Sequence, residues 1–357
     1  MSFQTDLLAW YDQHAAALPW RENQDAYRVW LSEIMLQQTQ VETVIPYFVR
    51  FLSAFPTVQA LAAAPLDNVL KMWEGLGYYS RARNLHQAAQ QVSQNYNGQF
   101  PQTVEGLLAL PGIGRYTAGA ISSIAFDQPA PLLDGNVIRV FARLTDLDAD
   151  VTQPAVKESL WKLAEEWLDR TRPGDYNQSL MELGRVVCKP RNPLCGECPV
   201  KQHCKAFANG TQNQRPVKKR KAAMPHYDVA AGMIWNDVGE LLIAQRPLDG
   251  LLGGLWEFPG GKQEIGETLP ECLRRELREE LAIEVEVGDL FTVVQHGFTH
   301  FKITLHAFTC RYVDGEPQSI GVRDWAWVTP DRLNQYSFGK ADREVIRALE
   351  ERGRMLL

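Results

Sequence analysis

LPGIGRYTAGAISSIAFDQPAPLLDGNVIRV, Leu110 to Val140, decides how the rest of the chain is read. Leu110-Pro-Gly-Ile-Gly114 is a sharp turn between two helices. Arg115 to Phe126 then reads as a helix, small and apolar on one side. After a proline-rich loop, Leu133-Asp134-Gly135-Asn136 stands at the mouth of another helix, in which Val137, Val140, Phe141 and Leu144 recur at helical spacing. A Gly-x-Gly turn leaves backbone N–H groups free at a helix start, where they can grip a phosphate. Asp134 falls at the next helix start, a place that favours an ionised carboxylate. Taken alone, each feature has a plainer explanation: a glycine pair that only turns the chain, and an aspartate that only caps a helix. Together they suit a protein that holds DNA and develops positive charge on a sugar.

Composition sets the outer limits. A chain of 357 residues predicts two domains or more, each able to bury a core. Hydrophobic residues at 45% and charged residues at 22% are those of an ordinary globular protein. The net charge of -6 argues against indiscriminate nucleic-acid binding and leaves room for a local basic face. The opening MSFQTDLLAWYDQH has no basic segment followed by an apolar run, so no signal peptide is expected. No apolar stretch would span a bilayer, and a cytoplasmic location is expected.

Residues 1–209 read as helical. Around Tyr27, Trp30, Leu31 and Ile34 the apolar spacing is that of a helix, with Glu33 on the flank of the stripe. Pattern alone makes Glu33 a solvated helix glutamate. GLGYYSRARN, Gly75 to Asn84, is either a helix start with a solvated basic face or a loop that puts an aromatic into a base stack while Arg81 and Arg83 meet phosphates. Cys188, Cys195, Cys198 and Cys204 follow the spacing C-x6-C-x2-C-x5-C, strong evidence for a tetrathiolate metal site. Zinc and a [4Fe–4S] cluster both take four cysteines; the first C-x2-C pair of most zinc ribbons is missing here. The other two cysteines, Cys272 and Cys310, read as small buried hydrophobes. Residues 210–227, with Pro216, Pro225 and the basic run Arg215, Lys218, Lys219, Arg220 and Lys221, read as an exposed linker.

From residue 228 to 357 the pattern changes. Val229–Trp235, Leu241–Gln245, Phe291–Gln295 and Ile303–Phe308 read as strands, with one clear helix near Glu271–Leu281. GGKQEIGETLPECLRRELREELAI, Gly260 to Ile283, fits the Nudix box almost throughout, with Gly261, Glu267, Arg275, Glu276, Glu279 and Glu280 in register. Ala282 departs, where the pattern wants glycine. Glu276, Glu279 and Glu280 share one helix face and repel unless a cation sits among them.

These motifs in combination resemble the helix-hairpin-helix DNA glycosylases of the endonuclease III superfamily, and within it the MutY-type adenine DNA glycosylases. The likeness covers nearly the whole chain. It implies an all-helical helix-hairpin-helix glycosylase domain over 1–209 with a [4Fe–4S] cluster loop at 188–204, then the linker 210–227, then a Nudix-fold mixed α/β domain over 228–357 that recognises 8-oxoguanine. The fold class is therefore multidomain, α followed by α+β.

The resemblance also assigns roles. WLSEIMLQQTQV, Trp30 to Val41, looks like the family's catalytic helix, with Glu33 on the catalytic acid. Asp134 falls on the aspartate that supports glycosidic-bond cleavage, with Tyr116 and Asn136 orienting the pair. Trp20 and Arg21 of the PWR stretch, and Gln178 of NQSLMELG, match the adenine pocket. Gln38 and Tyr78 match residues that wedge into the duplex, and Gly112, Gly114, Lys189 and Arg191 match residues that meet its backbone. Bifunctional members carry a lysine at the place of Tyr116. A tyrosine cannot form the Schiff base, so a monofunctional enzyme using water is implied. Phe298-Thr299-His300 stands where the family has a Phe-Ser-His loop that reaches 8-oxoguanine.

The implied substrate is double-stranded DNA with adenine opposite 8-oxoguanine or guanine, and the implied protein is a monomer, nucleoid-associated if bacterial. Mg²⁺ at the Nudix box is compatible with the residues but not expected to be required. Two other readings stay open on the residues: an endonuclease III-like glycosylase and lyase for oxidised pyrimidines, and a Nudix pyrophosphohydrolase tethered to DNA by the helical part. A non-enzymatic mismatch binder is a third.

Overall fold

A computed structural model describes residues 2–219 and 224–355, with the side chains of 353–355 outside that description. Arg220 and Lys221 of the basic linker lie outside the described residues. The chain divides into two compact units: one holds residues up to Ala63 and from Asn84 to the linker, the other holds Ala64–Arg83 together with the C-terminal residues. The segment Ala64–Arg83 thus packs with residues far along the chain, a grouping that local periodicity does not show. No described helix is long and apolar enough to cross a membrane.

The N-terminal unit is helical. Ala26–Leu36 starts where the Asp25 carboxylate accepts from Arg28 N at 2.9 Å, and it buries Tyr27, Trp30, Leu31 and Ile34. Glu33 is buried with them, at 5% exposure, although pattern alone makes it solvated. The short helix Val104–Leu108 and the helix Arg115–Phe126 are joined by the Leu110–Gly114 turn. Gly112 has φ +74°, and a Cβ there would come within 2.6 Å of Asn84 Cβ, so only glycine serves without strain. Gly135–Leu144 begins at Asp134, whose side chain accepts from Val137 N at 2.7 Å. The helix Pro173–Val186 lies against that start: a Cβ on Gly184 would meet Asn136 Cβ at 2.5 Å.

In the C-terminal unit the strands are β1 (His226–Trp235), β2 (Leu241–Gln245), β3 (Trp256–Glu257), β4 (Gly260–Lys262), β5 (Glu284–Gly297), β6 (Lys302–Asp314) and β7 (Asp324–Val328). They form a mixed sheet in the order β3-β2-β1-β6-β5, with β4 on β1 and β7 on β2. The β1–β6 pair is parallel, His226 opposite Lys302 through Trp235 opposite Arg311. One face of the sheet carries the helix Leu269–Leu281, whose Cys272, Leu273, Leu277 and Leu281 pack with Ile234, Leu242 and Phe308. The other face carries the helix Lys340–Met355 through Ala341, Val345 and Ile346. Cys272 and Cys310 are buried and unbridged.

The short strands β3, β4 and β7 and the last helix were not readable as elements. β3 and β4 hold too few residues to show a period, and they exist because β2 and β1 offer them partners. Ala282, the residue that departs from the box, sits at the helix C-cap with φ +57°. That is the left-handed conformation in which glycine is ordinarily found, so the pattern's glycine has a backbone reason.

Candidate active site and cluster loop

Three helices of the N-terminal unit bring an acid, a phenol and a second acid together. Glu33 comes from the middle of Ala26–Leu36, Tyr116 from the first turn of Arg115–Phe126, and Asp134 caps Gly135–Leu144. The Tyr116 hydroxyl donates to Glu33 Oε2 and lies 3.3 Å from Met181 Sδ. Burial pushes the Glu33 carboxyl up to about 7; the Tyr116 hydrogen bond works against this, and the nearby Asp134 charge works with it. A carboxylic acid so placed holds its proton near neutral pH.

Asp134 stands differently. Burial raises its pKa as well, but the backbone N–H of Val137, the Asn136 side chain and the charge of Arg139 all favour its anion. Asn136 Nδ2 donates to Asp134 Oδ2 at 2.8 Å, while Asn136 Oδ1 accepts from Arg139 Nη2 at 2.8 Å. The result is two buried carboxyls in one electrostatic neighbourhood, Glu33 raised to about 7 and bonded by a phenol, Asp134 raised by burial and held by backbone and amide donors. Pairs of that kind carry acid–base chemistry at a glycosidic bond.

Trp20, Arg21 and Gln178 line a cavity of about 860 Å³ that also takes in Tyr11, Asp127 and Arg172. Glu33, Tyr116 and Asp134 are not among its lining residues. Arg21 connects the two places. Its charge acts on Glu33, and its Nη2 donates to Glu182 Oε2 at 3.2 Å. Glu182 in turn is paired with Arg185.

The hairpin is formed as its glycines require. Gly114 is the N-cap of Arg115–Phe126 with no side-chain cap, and the space where its Cβ would stand is open. The first amides of that helix are therefore offered outward beside a backbone a phosphate can approach. Gln38 is exposed with φ +58°. Lys189 and Arg191 are exposed on the cysteine loop.

In the C-terminal unit Tyr78 is 42% exposed, and its hydroxyl lies 3.0 Å from Thr299 Oγ1. His300 is exposed, and the Phe298 ring meets His296 edge-on and lies tilted against Phe301. Arg81 belongs to the same unit. It is 8% exposed, with Nη2 on Leu76 O and Gly77 O at 3.2 Å each. These two bonds tie the Arg81 guanidinium to its own loop. Arg83 is half-buried, with Nη1 on Gly253 O at 2.6 Å.

The four cysteines meet in space. Cys198 feels the charges of Cys188, Cys195 and Cys204, and burial pushes its thiol up to about 12. Metal must therefore bind with loss of protons. Among the described residues no three His, Cys, Asp or Glu side chains stand close enough to hold one metal ion. Four cysteines gathered in one loop are the donor set that a [4Fe–4S] cluster takes.

Two buried arginines that sequence reasoning missed tie this loop to the acid site. Arg143, 2% exposed, donates from Nη1 to Cys188 Sγ at 3.2 Å and to Lys189 O at 2.7 Å, and from Nε to Gln212 O at 2.8 Å. Arg139 donates from Nε to Cys188 O at 2.6 Å and from Nη2 to Gly184 O at 2.7 Å, besides holding Asn136. Their signal in the sequence is faint: arginines at i and i+4 beside an apolar stripe, which read as a solvated flank.

A helical hairpin fold with a buried glutamate near a second carboxyl, and a four-cysteine loop braced on the same helix, is that of a DNA glycosylase of the helix-hairpin-helix class. The comparisons agree. The pattern of the "HhH-GPD superfamily base excision DNA repair protein" matches residues 31–166, the "Iron-sulfur binding domain of endonuclease III" matches 188–204, and the "NUDIX domain" matches 230–348. A thermostable thymine-DNA glycosylase structure is similar at TM-score 0.53 and 26% identity, covering 58% of this chain and 95% of that one. A trapped endonuclease III–DNA covalent intermediate is similar in fold, with TM-score 0.50, 24% identity and the same 58% of this chain against 94% of its own.

The relatives narrow the class. The adenine DNA glycosylase of Rattus norvegicus is 38% identical over 99% of this chain and 79% of its own length. That of Homo sapiens is 36% identical over 98% and 74%. The chain belongs to the adenine DNA glycosylase family, an enzyme family of base excision repair, and carries a [4Fe–4S] cluster loop at Cys188, Cys195, Cys198 and Cys204.

Proposed function

We propose that the protein hydrolyses the N-glycosidic bond of adenine paired with 8-oxoguanine or guanine in double-stranded DNA, after turning the adenine out of the duplex, and that it acts as a monofunctional enzyme. The observation that carries this is Glu33, buried and hydrogen-bonded by the Tyr116 hydroxyl in the same electrostatic neighbourhood as Asp134.

Adenine leaves poorly as an anion. Glu33 gives its proton to N7 of the base, the C1′–N9 bond breaks, and its electron pair goes to the base, which departs neutral. The sugar is left as an oxocarbenium ion, which Asp134 stabilises by charge or by a transient bond at C1′. Asn136 and Val137 N hold Asp134 in place for this. Water then adds at C1′, and the Glu33 carboxylate receives the proton. Tyr116, standing where bifunctional relatives have an amine, orients Glu33 and forms no imine.

Trp20, Arg21 and Gln178 receive the base. Glutamine supplies both a donor and an acceptor, as an adenine edge requires. Gly112 and Gly114 grip the backbone through amides, and Lys189 and Arg191 meet phosphates from the cysteine loop. The cluster's chemistry here is thiolate ligation that ties this loop. Gln38 and Tyr78 wedge the stack, where an aromatic contributes about 1–3 kcal/mol per stacked base. Phe298, Thr299 and His300 read the opposite 8-oxoguanine, with the threonine hydroxyl in the place of a serine's.

In the Nudix box Arg275 already sits among Glu267, Glu276 and Glu279, at 2.7–3.2 Å.

The test is base release from duplexes holding adenine opposite 8-oxoguanine, guanine or thymine, run beside thymine glycol, with and without alkali. Release of adenine opposite 8-oxoguanine and guanine, with strand breaks only after alkali, is expected. Glu33→Gln should lose at least about 10²–10⁴ in rate and still bind DNA. Near-normal single-turnover excision by that variant, or efficient borohydride trapping of the wild type, would overturn the assignment.

A further inference from the structure

The segment Ala64–Arg83 is fastened to the C-terminal residues along its whole length. At its start, Gln245 Nε2 donates to Asp67 Oδ1 at 3.1 Å. At its end, Arg83 Nη1 donates to Gly253 O. Its tip is Tyr78, whose hydroxyl is paired with Thr299. Between start and tip lies Glu74, the last residue before a glycine-rich loop.

Glu74 is unusual in its partners. One carboxylate oxygen accepts from Phe338 N at 3.1 Å and from Arg343 Nε, and the other accepts from Lys71 Nζ at 2.8 Å. Lys71 Nζ and Arg343 Nη2 both also donate to Tyr336 O. Glu74 and Arg343 are each only 19% exposed. Burial by itself would raise the Glu74 carboxyl, but the donors outweigh it and hold the group below its ordinary range. Three donors converge on one short side chain, and two of them come from residues more than 260 positions away.

The backbone beyond Glu74 needs holding. Gly75 and Gly77 have positive φ, and Tyr78 itself sits at φ +50°, a strained region for a residue with a side chain. The loop is pinned from within by Trp73 Nε1 on Gly77 O at 3.1 Å, by Gly75 N on the Tyr79 hydroxyl at 3.2 Å, and by Arg81. These internal ties shape the loop, and the ion cluster at its root and the hydroxyl pair at its tip help to set its place.

We propose that Glu74, clamped by Arg343 and Lys71, is a positioning residue that sets Tyr78 for insertion into the duplex, so that the wedge and the loop Phe298–His300 form one preassembled reader of the base opposite adenine. This rests on Tyr78 being a wedge. It implies that the C-terminal unit contributes to excision opposite undamaged guanine too, through the placement of Tyr78.

A double-mutant cycle separates this from plain loss of packing. Glu74→Gln, Tyr78→Ala and the double variant of the full-length, cluster-loaded enzyme are compared. The readouts are single-turnover adenine excision from A:8-oxoguanine and A:G duplexes, and the fluorescence of 2-aminopurine beside the lesion, which rises as the stack opens. Glu74→Gln should lower excision at least fivefold and weaken the fluorescence rise. In the Tyr78→Ala background the same change should cost less than twofold. Arg343→Lys should recover more than Arg343→Ala. Equal losses from Glu74→Gln in both backgrounds would make Glu74 merely structural and overturn the proposal, as would an inert Glu74→Gln beside an impaired Tyr78→Ala. A Tyr78→Ala enzyme identical to the wild type in both readouts would bring down the wedge itself, and the positioning role of Glu74 with it.

Discussion

Tyr116→Phe removes one hydroxyl from the acid site and almost no volume. In the native site that hydroxyl donates to Glu33 Oε2 and favours the carboxylate, while burial and Asp134 favour the acid; the balance stands at about 7. A hydrogen bond to a charged group contributes about 1.5–3 kcal/mol. One pKa unit corresponds to about 1.4 kcal/mol. Deleting the donor should therefore raise Glu33 by about one to two units. A general acid works in its protonated form, so wild-type excision should decline as pH rises through about 7, and in Tyr116→Phe the decline should move to higher pH by about that amount. The plateau rate will fall as well, because the phenol also orients Glu33, so the midpoint of the alkaline limb is the quantity to compare. The assay is single-turnover adenine release across neutral and alkaline pH with enzyme in excess. An unchanged midpoint, or one displaced to lower pH, would mean that Glu33 is not the proton donor or that Tyr116 does not govern its proton.

Two further outcomes are expected. Ala282→Gly relieves a left-handed alanine at the cap of Leu269–Leu281, and should stabilise the C-terminal unit by about 0.5–1 kcal/mol after the added chain entropy of glycine; a lower melting temperature would show that the cap is not strained. Arg143→Ala strips the cysteine loop of donors to Cys188 Sγ, Lys189 O and Gln212 O, each bond from a charged donor being worth about 1.5–3 kcal/mol. Iron and acid-labile sulfide per purified chain should fall well below wild type, and full iron occupancy would refute the bracing role.

The acid site and the cysteine loop share one helix, Gly135–Leu144. Asp134 caps it, Asn136 lies in its first turn, and Arg139 and Arg143 stand on successive turns to hold the loop. A distortion of the loop therefore has a short covalent and hydrogen-bonded route to the Asp134 carboxylate. This gives a physical sense to the spacing between the aspartate and the first cysteine: a buried guanidinium spans loop and helix by reaching Cys188 O and Asn136 at once.

Much was legible in the residues themselves. A hairpin needs glycine where φ is positive, an N-cap needs a short acceptor, and four thiolates need cysteine, so Gly112, Asp134 and Cys188 to Cys204 announce themselves by type and spacing. The Nudix box announces its helix in the same way, down to the odd alanine at its cap. The burial of Glu33 was not legible, because a glutamate on the flank of an apolar stripe looks solvated until the helix Arg115–Phe126 covers it and a tyrosine supplies its partner. Nor was the inward turn of Arg81, since whether a guanidinium meets a phosphate or a carbonyl depends on the loop folded around it. The allegiance of Ala64–Arg83 to residues beyond 240 is of the same kind. Local chemistry is written along the chain; protonation, charge pairing and the company a segment keeps are set by groups distant in sequence, and only the closed tertiary structure brings them within reach.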